Sequence, residues 1–351
     1  MDFNPMDRRS FLGAASGAAL LCTIGGQKVF EDQPTDVKKL AAGVEVPPKV
    51  AAANRNPGLT KAAAVTGERK EYWISAEPRR WNIIPANENG RKRDQMLNQN
   101  IKKGKTSFDA YGYRPYTANF GQALAPASIP GPLIDATVGD TVVVHFRNLC
   151  PVPVTMHPHG LAYSNEMDGA YKGYWTDPGG FVQTNREFTY VWECHEGTEG
   201  SWWYHDHGPI DPIPVYKGLF GPLVIRPKGE PKPDREFFIA FHSFLPPATG
   251  LRSAFDCVNG RSFTGNTPTF TANVGDDVAM HVYAVDDNFH TFHLHGHRWE
   301  EPDGSIVDNK TLGPGDSFKF RFTEDNPGRW LYHCHVFSHL HNGMSGWYLV
   351  E

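Results

Sequence analysis

The sequence predicts an all-β protein made of two tandem antiparallel β-sandwich domains, and three observations carry that expectation. The first is composition: 351 residues with 35 Gly, 28 Pro, 13% aromatic and only 21% charged residues suit a turn-rich β protein better than a helical bundle or a disordered chain. The length allows roughly two domains of about 150 residues. The second is pattern: short period-two runs bounded by turn residues recur, and no long 3.6-residue period is present. The third is duplication, since a whole block of such runs occurs twice. Charge narrows the classes further. With 34 Lys plus Arg against 39 Asp plus Glu, the net charge of -5 sets nucleic acid aside as a partner. Five Cys are too few and odd in number for a disulfide scaffold, whereas sixteen His and nine Trp stand out.

Taken in order, the chain opens with Arg8-Arg9-Ser10-Phe11-Leu12 and an apolar stretch to about Ile24, too short to span a bilayer comfortably. Residues 1–27 read as a twin-arginine export signal, a route that carries proteins already folded and often already loaded with a metal or cofactor. The expected location is extracellular, periplasmic or the cell envelope, with no membrane span after processing, and Cys22 falls in the removed segment. Residues 28–70, rich in Ala, Lys and Pro, read as a flexible tether. The first domain is expected over 71–229, interrupted at 87–120 by a polar, Asn- and Lys-rich insertion.

The duplication then appears. The run from Pro132 to Phe146 and the run from Pro268 to Val282 each read strand, Gly-Asp turn, strand, about Gly139-Asp140 and Gly275-Asp276. From Gly139 it is 18 residues to His157 and 20 to His159; from Gly275 it is 18 to His293 and 20 to His295. A second matching pair closes each half: Gly200-Ser201-Trp202-Trp203-Tyr204-His205-Asp206-His207 against Gly328-Arg329-Trp330-Leu331-Tyr332-His333-Cys334-His335. Glycine-flanked strands follow from Gly218 and from Gly343. The Pro- and charge-rich stretch from Pro227 to Pro233 marks a linker, so the second domain is expected over 235–351.

Along a strand, residues i and i+2 share a face, so His-x-His presents two imidazoles side by side. The chain holds four such pairs: His157/His159, His205/His207, His293/His295 and His333/His335. Eight imidazoles are too many for one ion and suit a cluster of about three metals with open positions for a small ligand. Cys334 lies between His333 and His335 and must face the other way. There it meets different partners: His290, His339 at +5 and Met344 at +10. Two imidazoles, a thiolate and a thioether are the ligand set of a blue-copper electron-transfer site; zinc has no use for the thioether and no redox chemistry. One strand thus carries a thiolate to a mononuclear site and its flanking imidazoles to a cluster, a short route for electrons. Four coppers store the four electrons that take dioxygen to water.

These motifs, His-x-His-Gly, His-x-His, His-x-x-His-x-His and His-Cys-His-x-x-x-His-x-x-x-x-Met, resemble those of the multicopper oxidases, specifically the two-domain bacterial laccases, or small laccases, from about residue 125 onward. The resemblance implies two cupredoxin-like Greek-key sandwiches and four copper ions per chain. It makes His290, Cys334, His339 and Met344 the type 1 ligands and His157 and His293 the type 2 ligands. His159, His205, His207, His295, His333 and His335 would hold the binuclear type 3 pair. By the same resemblance Asp168 is an acid that helps deliver protons, and Tyr163 is a redox-capable phenol beside the cluster. Phe289 stands where the family can carry Tyr. The first domain has Asp206 and Leu219 in the places of Cys334 and Met344, so only the second domain holds type 1 copper. The implied partners are dioxygen, phenolic or aromatic amine reductants, and two further copies in a homotrimer with inter-subunit trinuclear clusters.

The remaining histidines, His145, His195, His242, His281, His297 and His341, read as structural or surface, with His297 close enough to the ligands to support them. Cys150, Cys194 and Cys257 read as buried or partly paired. Two alternatives stay open: a copper nitrite reductase, which needs no type 3 pair, and a copper or electron-transfer protein without turnover, which would leave eight ligands idle.

Overall fold

The computed structural model describes residues 65–85, 101, 103–173 and 179–351, and separately a two-stranded pairing of Thr23–Ile24 with Gln27–Lys28. The export signal and most of the tether lie outside the described residues. Among the described residues no helix is long and apolar enough to cross a membrane.

Eight strands form the first pair of sheets. β1 (Arg69–Asn82), β2 (Ser107–Tyr116), β4 (Thr141–Asn148) and β6 (Arg186–Glu193) lie in the order β2-β1-β4-β6. β3 (Ile134–Thr137), β5 (His157–Pro158), β7 (Gly200–His205) and β8 (Phe220–Arg226) lie in the order β3-β8-β7-β5. β1 begins at Arg69, inside the stretch read as tether. β2 corrects the reading of 87–120 as an insertion: Ser107–Tyr116 pairs antiparallel with β1 from Trp73↔Tyr116 to Asn82↔Ser107. Its alternating Phe108, Ala110 and Gly112 offer little apolar periodicity, and only the partner strand reveals them as sheet residues.

The second pair repeats the plan. β9 (Arg235–Phe244), β10 (Phe255–Val258), β12 (Asp277–Ala284) and β15 (Ser317–Thr323) lie in the order β10-β9-β12-β15. β11 (Thr269–Ala272), β13 (His290–Leu294), β14 (Asn309–Leu312), β16 (Gly328–Cys334) and β17 (Ser345–Val350) lie in the order β11-β17-β16-β13-β14. In each copy the Gly-Asp turn is closed the same way: Asp140 Oδ2 accepts the Thr137 N–H and Asp276 Oδ2 the Asn273 N–H, both at 2.9 Å. Gly139 and Gly275 have φ of +100° and +95°, which a side chain would strain.

One apolar core lies inside each sandwich, around Phe146, Tyr190 and Trp192 in the first and Phe292, Tyr332 and Phe320 in the second. A third core joins them, with Trp203 and Phe220 packed against Tyr283, Val285 and Phe244. An ion-pair network crosses the same boundary: Arg226 holds Asp135 at 2.7 Å and Glu236 at 2.9 Å, and Glu236 meets His281 at 2.9 Å. Burial opposes ionisation of Glu236, but His281 and Arg226 outweigh it and bring its carboxyl down to about 2. Cys150, Cys194, Cys257 and Cys334 are buried and free, so no disulfide joins the described cysteines.

Candidate metal centres

Strand register brings the histidines together. On β5 and β7, His157 lies opposite His205; on β13 and β16, His293 lies opposite His333. In the first sandwich the ligand nitrogens of His157, His159 and His205 lie within 4.8 Å of one another. His207 sits beside them, its ring 5.4 Å from that of His157. The second sandwich repeats this with His293, His295 and His333 within 4.8 Å, and with His335 at 5.5 Å from His293. Among the described residues these are two separate sets, each half of the eight.

Their hydrogen bonds leave metal-binding lone pairs free. The Nδ1–H groups of His157 and His205 donate to the carbonyls of Asp168 and Asp206, both at 2.7 Å. Those of His293 and His333 donate to Asp308 and Cys334 at 2.7 and 2.9 Å. Each bond fixes the tautomer and turns Nε2 inward, the arrangement metal-ligating imidazoles require. Burial holds His159 and His333 down to about 4 and His205 well below its ordinary range, so these rings stay neutral near pH 7. Within each set Nε2 atoms crowd together, His159 to His205 at 3.0 Å and His295 to His333 at 3.1 Å. Neutral nitrogens gathered this way fit a cation between them.

Cys334 faces the other side of β16, as the alternation requires. Its Sγ lies 3.8 Å from His290 Nδ1 and 3.6 Å from His339 Nδ1, and these three ligand atoms form a third compact group. Met344 is fully buried in the same core cluster as Cys334. Burial disfavours the thiolate, yet hydrogen bonds from His290 and His339 outweigh it and bring the thiol down to about 6. Soft sulfur with two imidazoles in an apolar pocket fits copper. His290 is itself fully buried and held by Asp286 at 2.9 Å. Phe289, immediately before it, is 57% exposed.

Asp168 and Tyr163 lie beside the first set. The Asp168 carboxylate is 3.1 Å from both His157 Nδ1 and Lys172 Nζ. Burial would raise its pKa, but those two partners outweigh burial and bring it to about 2. Burial and the neighbouring Asp168, which accepts its hydrogen bond, push the Tyr163 hydroxyl up to about 12. His297 supports the second set: its Nδ1 contacts the His295 carbonyl at 2.8 Å and its Nε2 meets Glu324 at 3.1 Å. The motif reading missed Asp286, Asp308 and Lys172, because a carboxylate or carbonyl behind a ligand carries no spacing signal.

A cleft of about 290 Å³ separates the first set from the second sandwich, lined on one side by His157, His205 and Asp211 and on the other by Asp286, Asp287 and Gly315.

Two family models, both described as multicopper oxidase, match residues 123–230 and 241–351 in tandem. A probable nitrite reductase-hydroxylamine oxidoreductase fusion protein of Kuenenia stuttgartiensis is 31% identical over 260 residues, covering 70% of this chain and 29% of that protein. Human Ferroxidase HEPHL1 is 26% identical over 342 residues, covering 80% and 29%. The chain therefore spans under a third of the length of these curated relatives. A crystal structure of a multicopper oxidase superposes with a TM-score of 0.63 at 23% identity, covering 83% of this chain and 93% of that one, a likeness of fold: all-β cupredoxin-like sandwiches. With both halves matched in tandem over the segments that carry the three ligand groups, the chain belongs to the multicopper oxidase family.

Proposed function

We propose that this protein is a laccase-type, copper-dependent oxidoreductase that removes single electrons from phenols and aromatic amines and passes four to dioxygen, giving water. The observation that carries the reading is the two-sided strand β16, with Cys334 turned to His290 and His339 and His333 turned to His293 and His295. Copper, when bound, supplies one-electron storage at the Cys334 group and oxygen reduction at the histidine sets. In this reading His290, Cys334, His339 and Met344 hold type 1 copper, His157 and His293 type 2, and the other six histidines the type 3 pair. The Asp168 carboxylate, 3.1 Å from both His157 Nδ1 and Lys172 Nζ, stands beside the first histidine set, the position that supports its reading as the acid that helps deliver protons. Tyr163 donates to it and is a phenol within reach of the His157 ring at 6.0 Å.

Each set of four histidines is half a cluster. We therefore assign the sandwiches as domains 71–229 and 235–351 and expect a homotrimer in which the first domain of one copy meets the second of the next. The twin arginines Arg8-Arg9 support export by the folded-protein route, to the periplasm, cell envelope or medium.

A copper nitrite reductase is the rival reading, favoured by the Kuenenia relative. It has no use for His335 beside the cysteine strand, or for paired histidines in all four places. Elemental analysis of copper-loaded protein separates the two. About four coppers per chain, with oxygen uptake on adding a phenol, supports the oxidase. About two, with nitrite consumed instead, overturns it, and about one leaves an electron carrier.

A further inference from the structure

The two histidine sets are near-copies in register, and among the positions where their strands differ one lays an aromatic ring on the imidazoles. The His159 N–H donates to the carbonyl of Trp203 at 2.9 Å, and the His295 N–H donates to that of Leu331 at 3.0 Å, so Trp203 and Leu331 occupy the same place in the two sandwiches. The neighbouring tryptophans are shared: Trp202 Nε1 donates to Thr198 and Trp330 Nε1 to Asn326, both at 2.8 Å. At the next position the first copy has an aromatic ring, Trp203, and the second has Leu331.

Its indole lies nearly parallel to two of the imidazoles, 4.8 Å and 8° from His159 and 4.4 Å and 21° from His205. Those imidazoles are inclined to one another by 28°. In the second sandwich, where Leu331 offers no flat face, the corresponding pair His295 and His333 is inclined by 51° at almost the same separation. Flat ring faces stack offset and near-parallel, and a buried indole turns slowly because its neighbours leave it no room. Trp203 is 6% exposed. Behind it pack Phe220 of its own sandwich and Tyr283 and Val285 of the other. Its Nε1–H donates across the boundary to the Gly315 carbonyl at 3.1 Å. Two further bonds tie the same strand to the second sandwich: Ser317 Oγ donates to the Ser201 carbonyl at 2.5 Å, and Ser201 Oγ donates to the Tyr283 hydroxyl at 2.9 Å.

We propose that Trp203 is a positioning residue: its flat face sets the mutual inclination of the His159 and His205 imidazoles, and its packing on Tyr283 and Val285 makes that inclination depend on docking of the second sandwich of the same chain. The inclination within the histidine set of the first sandwich is thereby preset by its own chain, whereas the corresponding pair of the second has no such flat face against it. The inference rests on the oxidase reading only for the identity of the metal.

The test compares wild type, Trp203→Phe and Trp203→Leu, the last copying the second sandwich. In crystal structures of the metal-free proteins, Trp203→Leu should open the His159–His205 inclination toward the 51° of the other pair, and Trp203→Phe should keep it near 28°. In copper-loaded protein, Trp203→Leu should lose copper from this set to a chelator about ten- to a hundredfold more readily. The colour of the Cys334 site reports that the second sandwich is folded in each variant, and near-ultraviolet circular dichroism and the metal-free crystal structures report the same of the first. An unchanged inclination in Trp203→Leu, or copper retention equal to wild type with the same paramagnetic signature, overturns the proposal. So does Trp203→Phe behaving like Trp203→Leu, which would place the effect in the Gly315 hydrogen bond alone. A wild-type chain that binds no copper at these histidines would sink the oxidase reading instead, while the metal-free inclination would still decide the role of Trp203.

Discussion

Asp206 in the first sandwich and Cys334 in the second stand on the same scaffold. The N–H of Asp206 donates to the Leu219 carbonyl at 3.0 Å, and that of Cys334 to the Met344 carbonyl at 3.1 Å. The Thr155 N–H donates to Asp206 Oδ1 at 2.7 Å, and the equivalent Thr291 N–H lies 3.4 Å from Cys334 Sγ. Both side chains are fully buried and both accept from the same backbone amide. Around the thiolate stand His290, His339 and Met344; Val154 and Asp211 stand at the offsets of the two histidines, and Leu219, paired with Asp206 as Met344 is with Cys334, takes the place of the methionine. The backbone frame is thus independent of metal chemistry, and side chains at four positions decide whether it becomes a soft-ligand site. Burial pushes the Asp206 carboxyl up to about 7, the amides of Thr155 and Gly208 only partly opposing it. A carboxylate here satisfies amides; it does not replace the thiolate.

The sharpest break of this comparison is Cys334→Ser. It should remove the colour and take phenol oxidation to background while both histidine sets still bind metal, as spectroscopy and elemental analysis would show. Phenol oxidation at the parent rate would mean that electrons enter elsewhere. Next in size is a contrast between two aspartates whose carbonyls do the same work for His157 and His293. Only Asp168 also brings its carboxylate to the imidazole, at 3.1 Å. Asp168→Asn should slow oxygen consumption about 10²-fold, and Asp308→Asn far less, in steady-state assays. Equal losses would show that the carbonyls alone matter.

Asp206→Ala should cost about 1–3 kcal/mol by leaving buried amides unpartnered, and Asp206→Asn less, read from denaturant unfolding. No loss in the alanine variant would show that water replaces the carboxylate. The smallest effect lies at the boundary between the sandwiches. Glu236 has a pKa near 2 when folded and about 4.5 as a free group, so its stabilisation is present above about 4.5 and lost as pH falls toward 2. Glu236→Gln should flatten that part of the pH–stability curve, and an unchanged slope would show that Arg226 and His281 gain nothing from its charge.

Most of the candidate site was legible in the chain, because ligand pairs on strands obey a period of two and the duplication supplies its own control. Cys334 opposing His333 followed from alternation alone. The strand Ser107–Tyr116 was not legible, since a run with Gly112 and Pro115 lacks the apolar alternation of a strand and is held by pairing with β1. Nor were Asp286 behind His290, or the role of Trp203. Their partners lie far off in sequence or across the sandwich boundary, and no local period encodes such a contact.

By itself, then, the sequence determined which residues alternate onto which strand faces, where the copies begin again, and which donor types stand at each offset, because these follow from the fixed two-residue repeat of extended backbone. Only the tertiary structure decided which carbonyl fixes each imidazole tautomer, which histidines meet within one chain, and which tryptophan becomes a platform. Those outcomes depend on packing between segments distant along the chain, where a few ångströms separate a ligand from a bystander.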